Sequence, residues 1–247
     1  MNEAPATGCA VDETRRLGQG LGLSMKKWTV LEQVVTPDGS TLTLAVRDQD
    51  YVIRVNGREL MSTRHSFSEE QLGVVACRPL KQRRRACVLI GGLGLGFTLR
   101  AALNELASDA RVVVAELLPD VVTWNRNRSY PLSHAALADR RTEVVIDDVA
   151  QVIERNEARF DAIMLDADNQ TTSMNTKGNS RLYQAAGLAS VHRALTASGS
   201  VVYWSAGEEP LFEKRLAKGG FDVQVQRVPK HATSGGNHVL LIGRRRA

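Results

Sequence analysis

From about residue 86 onward, short apolar runs alternate with longer stretches whose apolar residues recur at helical spacing. The apolar runs predict strands at Ala86–Ile90, Arg111–Glu116, Thr142–Ile146, Phe160–Leu165, Ser200–Trp204, Phe221–Arg227 and His238–Gly243. The stretches between them predict helices at Gly96–Leu106, Pro119–Asn127, Val149–Asn156, Ser180–Leu195 and Pro210–Lys218. This alternation is typical of an α/β fold, and we expect a mostly parallel seven-stranded sheet with helices on both faces.

The first part of the chain follows a different pattern. Residues 1–24 are small and polar, which predicts a flexible tail. Residues 25–80 predict a small antiparallel β-hairpin unit with a linking helix, and residues 81–247 form the main domain.

Period-two alternation and turn signals define the small β unit. Thr41–Val46 and Tyr51–Val55 alternate between apolar and polar residues, and the pair Asn56-Gly57 after them is a strong hairpin signal. Ser66 and Glu69 have the spacing of a capping box, so we expect the linking helix to begin there.

Composition and charge restrict the classes of partner. Hydrophobic residues make up 43% of the 247 residues, enough for a sizeable core, and the net charge is +5. Basic clusters at residues 81–85 and 244–246 allow a nucleic-acid partner, but they flank predicted strands, and no basic–aromatic interleaving accompanies them. We therefore interpret them as solvated strand ends.

The sequence shows neither a signal segment nor an apolar run long enough to span a bilayer, so we expect a cytoplasmic protein without a membrane partner. The three cysteines have no metal-type spacing, and we interpret them as inert thiols.

The most informative motif is the glycine-rich turn that follows the first strand of the main domain. It contains Gly91, Gly92, Gly94 and Gly96 and runs directly into a predicted helix, which brings backbone amides close to a nucleotide-like ligand in a Rossmann-like fold. Glu116 ends the next strand about 20 residues further on, where an acidic side chain accepts ribose hydroxyls. The loop and Glu116 together predict a cofactor site.

Two aspartates follow the third strand of this domain. A carboxylate at Asp147 or Asp148 can accept a hydrogen bond from the amine of adenine, or it can cap the helix that begins next. We assign Asp148 to adenine and Asp147 to the cap.

Asp166 ends the fourth strand, at the edge of the sheet where ligands of parallel sheets bind. A carboxylate there can orient an amine and accept its proton. Asp166 and Asp168 could also hold a metal ion, but no histidine or glutamate with supporting spacing is nearby, so we expect none. The polar stretch Asn169–Asn179 has the length of a lid over the site, or is a long connection.

These motifs resemble those of the polyamine aminopropyltransferases, the spermidine synthase family, which share the fold of class I S-adenosylmethionine-dependent methyltransferases. The segment Val55–Arg64 is similar to the family's hairpin before its first helix, which ordinary methyltransferases lack. By this resemblance Glu116 is the ribose carboxylate, Asp148 contacts adenine and Asp166 is the catalytic aspartate. The resemblance further implies a homodimer paired through the N-terminal β units.

The chain departs from the family pattern in the transferring half of the site. The family has an aspartate at the position of Gly94, where it pairs with the amine of decarboxylated S-adenosylmethionine. Glu69 replaces a tyrosine, and Asn169 replaces the second aspartate after the fourth strand. Asp168 is assigned to catalysis with Asp166, and Glu69, Glu70 and Asn169 are assigned to a small-molecule amine substrate.

Three functions follow from these residues. The first is a spermidine synthase-like transfer of an alkyl group to an amine, with release of methylthioadenosine. The second is a methyltransferase that uses intact S-adenosylmethionine, with aminocarboxypropyl transfer and cleavage or cyclisation of the cofactor as variants. The third is a non-catalytic nucleoside-binding module. The cofactor is thus expected to be S-adenosylmethionine or its decarboxylated form.

Overall fold

The computed structural model describes residues 27–36, 38–166, 181–230 and 236–246. The tail predicted for residues 1–24 lies outside the described residues, as does the stretch Asn169–Asn179.

Four antiparallel strands form a small sheet in the order β1–β2–β3–β4. They are β1 (Thr29–Val35), β2 (Thr41–Arg47), β3 (Asp50–Val55) and β4 (Arg58–Ser62). Leu42 and Leu44 of β2, with Ile53 and Val55 of β3, are buried in the same apolar core as helices of the main sheet. The predicted small β unit is confirmed, and it packs onto the rest of the molecule through this shared core.

Helix α1 (Phe67–Cys77) links the two sheets and begins where the sequence predicts, but the capping box does not form. The hydroxyl of Ser66 donates to the carboxylate of Glu70 at 3.0 Å, and the side chain of Ser66 makes no cap bond to the helix amides. Glu69 accepts instead from the hydroxyl of Ser68 at 3.0 Å. The prediction that Glu69 closes a capping box is therefore wrong, and its side chain is available to line a cavity.

The main sheet has seven strands in the order β10–β11–β9–β8–β5–β6–β7, and β11 runs antiparallel to the other six. Its strands are β5 (Cys87–Gly91), β6 (Arg111–Glu116), β7 (Thr142–Ile146), β8 (Phe160–Asp166), β9 (Leu195–Ser205), β10 (Phe221–Pro229) and β11 (Asn237–Arg245). The helices that accompany them are α2 (Phe97–Glu105), α3 (Pro119–Arg126), α4 (His134–Leu137), α5 (Val149–Glu154), α6 (Ala185–Ala194) and α7 (Pro210–Lys218).

Alternating side chains of the central strands build two cores, one on each face of the sheet. Val88 and Ile90 of β5 pack with residues of α1 to α4 on one face. Leu89, between them, packs with residues of α5, α6 and α7 on the other face. The prediction of a mostly parallel sheet with helices on both faces is confirmed.

Two local differences from the sequence prediction have a physical reason. The helix predicted to run through Leu195 ends at Ala194, because Leu195 already pairs with Phe160 of the neighbouring strand β8. The short helix α4 was not predicted, since four residues are too few to show a helical period. No helix among the described residues combines the length and apolarity needed to cross a membrane.

Asp161 ties three elements together at the edge where the parallel strands begin. It is buried, and its carboxylate accepts from the amide of Cys87 at 2.9 Å and the hydroxyl of Thr196 at 3.0 Å. The guanidinium of Arg83 lies 2.8 Å from the same carboxylate.

We predict that Asp161→Ala lowers the free energy of unfolding by about 3 kcal/mol, because the substitution leaves buried donors without an acceptor. Urea unfolding followed by circular dichroism measures this loss. Asp222→Ala is the control, because that side chain is 75% exposed and its ion pair should contribute less than about 0.5 kcal/mol. A loss below about 1 kcal/mol for Asp161→Ala would contradict the prediction.

Candidate functional site

A cavity of about 330 Å³ lies at the carboxyl ends of β5, β6 and β8. Gly91, Glu116 and Asp166, the last residues of these strands, line it. Leu60 and Met61 of the small sheet line it as well, so both sheets contribute to its wall. The volume is that of a site for one small organic ligand.

The glycine turn between β5 and α2 forms one side of this cavity. Gly92, Gly94 and Gly96 all have positive φ, at 91°, 52° and 76°. Residues with a Cβ rarely adopt this conformation, which explains why the sequence has glycine at each position. At Gly96 a Cβ would also lie 2.0 Å from the hydroxyl oxygen of Ser133, so the turn leaves no space there for a larger residue.

The side chain of Glu116 holds the glycine turn in place through backbone amides. Its carboxylate accepts from the amide of Leu93 at 2.7 Å and from the amide of Leu118 at 2.9 Å. Burial raises the pKa of Glu116, and these amide bonds partly offset the effect because they favour the ionised form. The amides of Gly94 and Leu117 also interact with this carboxylate, so the backbone holds Glu116 at the wall of the cavity.

Three further side chains hold the turn, and the sequence interpretation missed all of them. The fully buried Asn125 of α3 donates to the carbonyl of Gly94 at 2.8 Å. Ser133 donates to the carbonyl of Leu95 at 2.8 Å, and the amide of Leu95 donates to the sulfur of Met61 at 3.1 Å. The available signal for Asn125 was its position on the buried stripe of α3, four residues after Val121, where an apolar residue is expected.

Asp147 and Asp148 both line the cavity, but the assignment of the helix cap was wrong. The carboxylate of Asp148 accepts from the amide of Ala150 at 2.9 Å and thereby caps α5. Asp147 accepts from the amide of Asp148 at 2.8 Å and pairs with Arg155, which keeps its pKa below the usual value. The second carboxylate oxygen of Asp148 lies 3.9 Å from Arg181, at the rim of the cavity.

Glu69 lines the cavity from the first turn of α1. Burial raises the pKa of this half-buried carboxyl group, and the hydroxyl of Ser68 opposes the shift. Glu70, predicted with it as a substrate-binding residue, does not line the cavity and bonds Ser66. The structure therefore brings only Glu69 of this pair to the site.

Asp166 ends β8 beside Trp204 of β9, its partner in the strand register, and both line the cavity. The hydroxyl of Tyr183 donates to the backbone carbonyl of Asp166 at 3.2 Å and so contacts the end of β8. Asp168 and Asn169, which the sequence assigned to catalysis and substrate binding, lie outside the described residues.

The electrostatic character of the cavity is strongly acidic. Among the described residues that line it, six are carboxylates and none is lysine, arginine or histidine. The six are Glu59, Glu69, Glu116, Asp147, Asp148 and Asp166. Low-dielectric walls with one sign of charge concentrate ligands of the opposite sign, so this cavity favours a cation. Within the described ranges, no cluster of three or more metal-ligating side chains is found.

No protein-family model and no curated protein matches the sequence, but solved structures share its fold. A spermidine synthase in complex with the transition-state analogue AdoDATO is 18% identical, with a TM-score of 0.65 over 87% of this chain and 72% of that chain. The spermidine synthase of Thermotoga maritima gives a TM-score of 0.67 at the same identity and coverage. A methyltransferase from Geobacter sulfurreducens gives 0.50 at 17% identity, over 72% of this chain and 79% of that chain. The chain therefore has a spermidine synthase-like version of the methyltransferase fold.

The raised pKa of Glu69 predicts how the stability of the protein depends on pH. Because the folded state holds the proton more tightly than the unfolded chain, the contribution of Glu69 to stability is present below pH 4.5 and is lost as the pH rises through the raised pKa. We predict that wild-type protein loses stability relative to Glu69→Gln as the pH rises from about 4 to about 8. Urea unfolding at a series of pH values measures this difference.

Glu157→Gln is the control, because Glu157 is exposed and its substitution removes one carboxylate from the surface. A difference between wild type and Glu69→Gln that stays constant over the whole pH range would show that burial does not perturb Glu69.

Proposed function

We propose that this protein is a transferase that binds an adenosyl sulfonium cofactor at the glycine turn and alkylates an amine, as spermidine synthases do. The observation that carries the proposal is the acidic cavity at the carboxyl ends of β5, β6 and β8, which has six carboxylates and no cationic side chain among its described lining residues. A sulfonium and an amine are both cationic, and such a cavity stabilises both.

The residues at one end of the cavity fit the nucleoside half of the cofactor. Glu116 is assigned to the ribose hydroxyls, beside a turn that lets a ligand approach the backbone closely. Asp148 uses one carboxylate oxygen to cap α5, and its other oxygen, which lies 3.9 Å from the guanidinium of Arg181, is assigned to the amine of adenine. The cap and the adenine contact can therefore both belong to Asp148.

In this proposal Asp166 acts in the transfer step. A bound sulfonium supplies an electrophilic carbon with a neutral thioether as the leaving group. Asp166 orients the amine so that the nitrogen lone pair forms the new carbon–nitrogen bond while the carbon–sulfur bond breaks and sulfur keeps the electron pair. The proton lost by the amine passes to the carboxylate of Asp166. Glu69 attracts the cationic part of the amine substrate.

The charge of the cavity favours the decarboxylated cofactor over the intact one. Decarboxylated S-adenosylmethionine carries a sulfonium and an ammonium group, whereas the intact cofactor adds a carboxylate. A carboxylate in this cavity meets like charges and no cationic partner among the described lining residues. A methyltransferase is the second candidate, because Gly94 offers no carboxylate to pair with the ammonium group.

The first prediction from the proposal concerns ligand binding and products. At about 100 times Kd a ligand that binds only the folded state adds about 2.7 kcal/mol of stability, so decarboxylated S-adenosylmethionine and methylthioadenosine should both raise Tm. Separate incubations with the decarboxylated and the intact cofactor, each with candidate amines, are followed by mass spectrometry and should show methylthioadenosine as the product of the decarboxylated form. S-adenosylhomocysteine as the only product would favour the methyltransferase, and the absence of any Tm shift would refute the cofactor site.

The second prediction concerns Asp166. We expect Asp166→Asn to lower kcat at least about 100-fold with unchanged affinity for methylthioadenosine, because only proton transfer and amine orientation are lost. Steady-state kinetics and calorimetry measure the two effects. The control Asp222→Asn removes an exposed carboxylate and should change neither. Full turnover in Asp166→Asn would remove this residue from the mechanism.

A further inference from the structure

Met61 occupies the side of the glycine turn where a ligand would contact Gly94. Its sulfur accepts the hydrogen bond of the Leu95 amide at 3.1 Å. A Cβ built at Gly94 would lie 2.5 Å from the terminal methyl of Met61 and 2.6 Å from its sulfur. The thioether of this strand β4 residue therefore fills the space beside Gly94 and lines the cavity at the same time.

The other amides of the turn already have acceptors inside the protein. They donate from Gly92 to the carbonyl of Ala115 at 2.8 Å, from Leu93 to Glu116 at 2.7 Å, and from Gly96 to the carbonyl of Leu93 at 2.8 Å. The amide of Gly94 faces the carboxylate of Glu116 and lowers its pKa. Leu95 differs from the rest because its acceptor is a thioether, which accepts hydrogen bonds only weakly.

The first turn of α2, which follows the glycine turn, is also an unfavourable environment for the carboxylate of a ligand. Thr98, in the first turn of α2, donates to the carbonyl of Glu69 at 3.1 Å, and both residues line the cavity. A ligand carboxylate near this turn would therefore approach the carboxylate of Glu69. Met61 covers the Leu95 amide, whose thioether acceptor is the weakest among the acceptors of the turn.

We propose that Met61 is the residue that selects the form of the cofactor: by covering the Leu95 amide with an apolar thioether, it excludes a cofactor carboxylate and favours the sulfonium whose transferred arm ends in an ammonium group alone. This inference rests on the proposed function and adds to it the residue that determines cofactor selectivity.

The test is calorimetric titration of wild type, Met61→Ala and Met61→Leu with three ligands: methylthioadenosine, intact S-adenosylmethionine and its decarboxylated form. Wild type should bind the decarboxylated cofactor at least about 10-fold more tightly than the intact one. Met61→Ala uncovers the Leu95 amide and should therefore bind the intact cofactor more tightly. We expect the preference for the decarboxylated over the intact cofactor to fall by about 10-fold. Met61→Leu conserves the volume and still covers the amide, so it should keep the wild-type ratio.

Each outcome has a distinct meaning. If methylthioadenosine does not bind wild type, the proposed cofactor site itself is wrong. If methylthioadenosine binds but wild type prefers the intact cofactor, both the preference assigned to the acidic cavity and the role of Met61 are wrong. If wild type prefers the decarboxylated form and Met61→Ala keeps the wild-type ratio, only the role of Met61 is wrong. If Met61→Ala does not fold, Met61→Val replaces it in the titration. Valine also shortens the side chain, and it is a residue that is favoured in strands.

Discussion

The buried carboxylate of Glu116 is the interaction on which the cavity depends. It joins the amide of Leu93 in the glycine turn to the amide of Leu118, the residue that precedes α3. Burial alone would favour its neutral form, and the backbone amides act against that tendency. One side chain at the end of β6 thus fixes two loops at the edge of the sheet where the cavity lies.

The turn is also held from outside the main sheet. Asn125 of α3 and Ser133 before α4 bond its carbonyls, and Met61 of β4 bonds its amide at Leu95. The small sheet therefore forms part of the cavity wall and also packs onto the core. Since that sheet supplies the thioether beside Gly94, a change in its packing would change the cavity even if the glycine turn kept its sequence.

Local patterns predicted most of the fold, while contacts distant in sequence explain what was missed. Strands β6 and β7 and the helix Pro210–Lys218 have the predicted bounds, because clear apolar periods end there at turn or charge signals. The anchors of the turn join residues 31 to 38 positions apart, and no local period reveals such pairs. The capping-box spacing of Ser66 and Glu69 was misleading for a related reason: Glu69 bonds Ser68 and lines the cavity, which a sequence pattern cannot show.

The net charge of the chain does not indicate the charge of its ligand. The protein carries +5 overall, yet the described lining of the cavity is acidic, because arginines such as Arg83 and Arg111 lie where the parallel strands begin and pair with Asp161 and Glu143. The local field at the opposite edge determines what binds there.

Attraction of cations does not by itself accelerate a reaction, because uniform binding of reactants and transition state leaves the barrier unchanged. In alkyl transfer from a sulfonium to an amine, positive charge moves from sulfur to nitrogen and then leaves as a proton. Glu116 and Asp148 lie at the nucleoside end in the proposed arrangement and contribute equally before and after this movement. Only a carboxylate beside the nitrogen can favour the transition state and accept the proton. In the proposed arrangement that carboxylate is Asp166, at the end of β8.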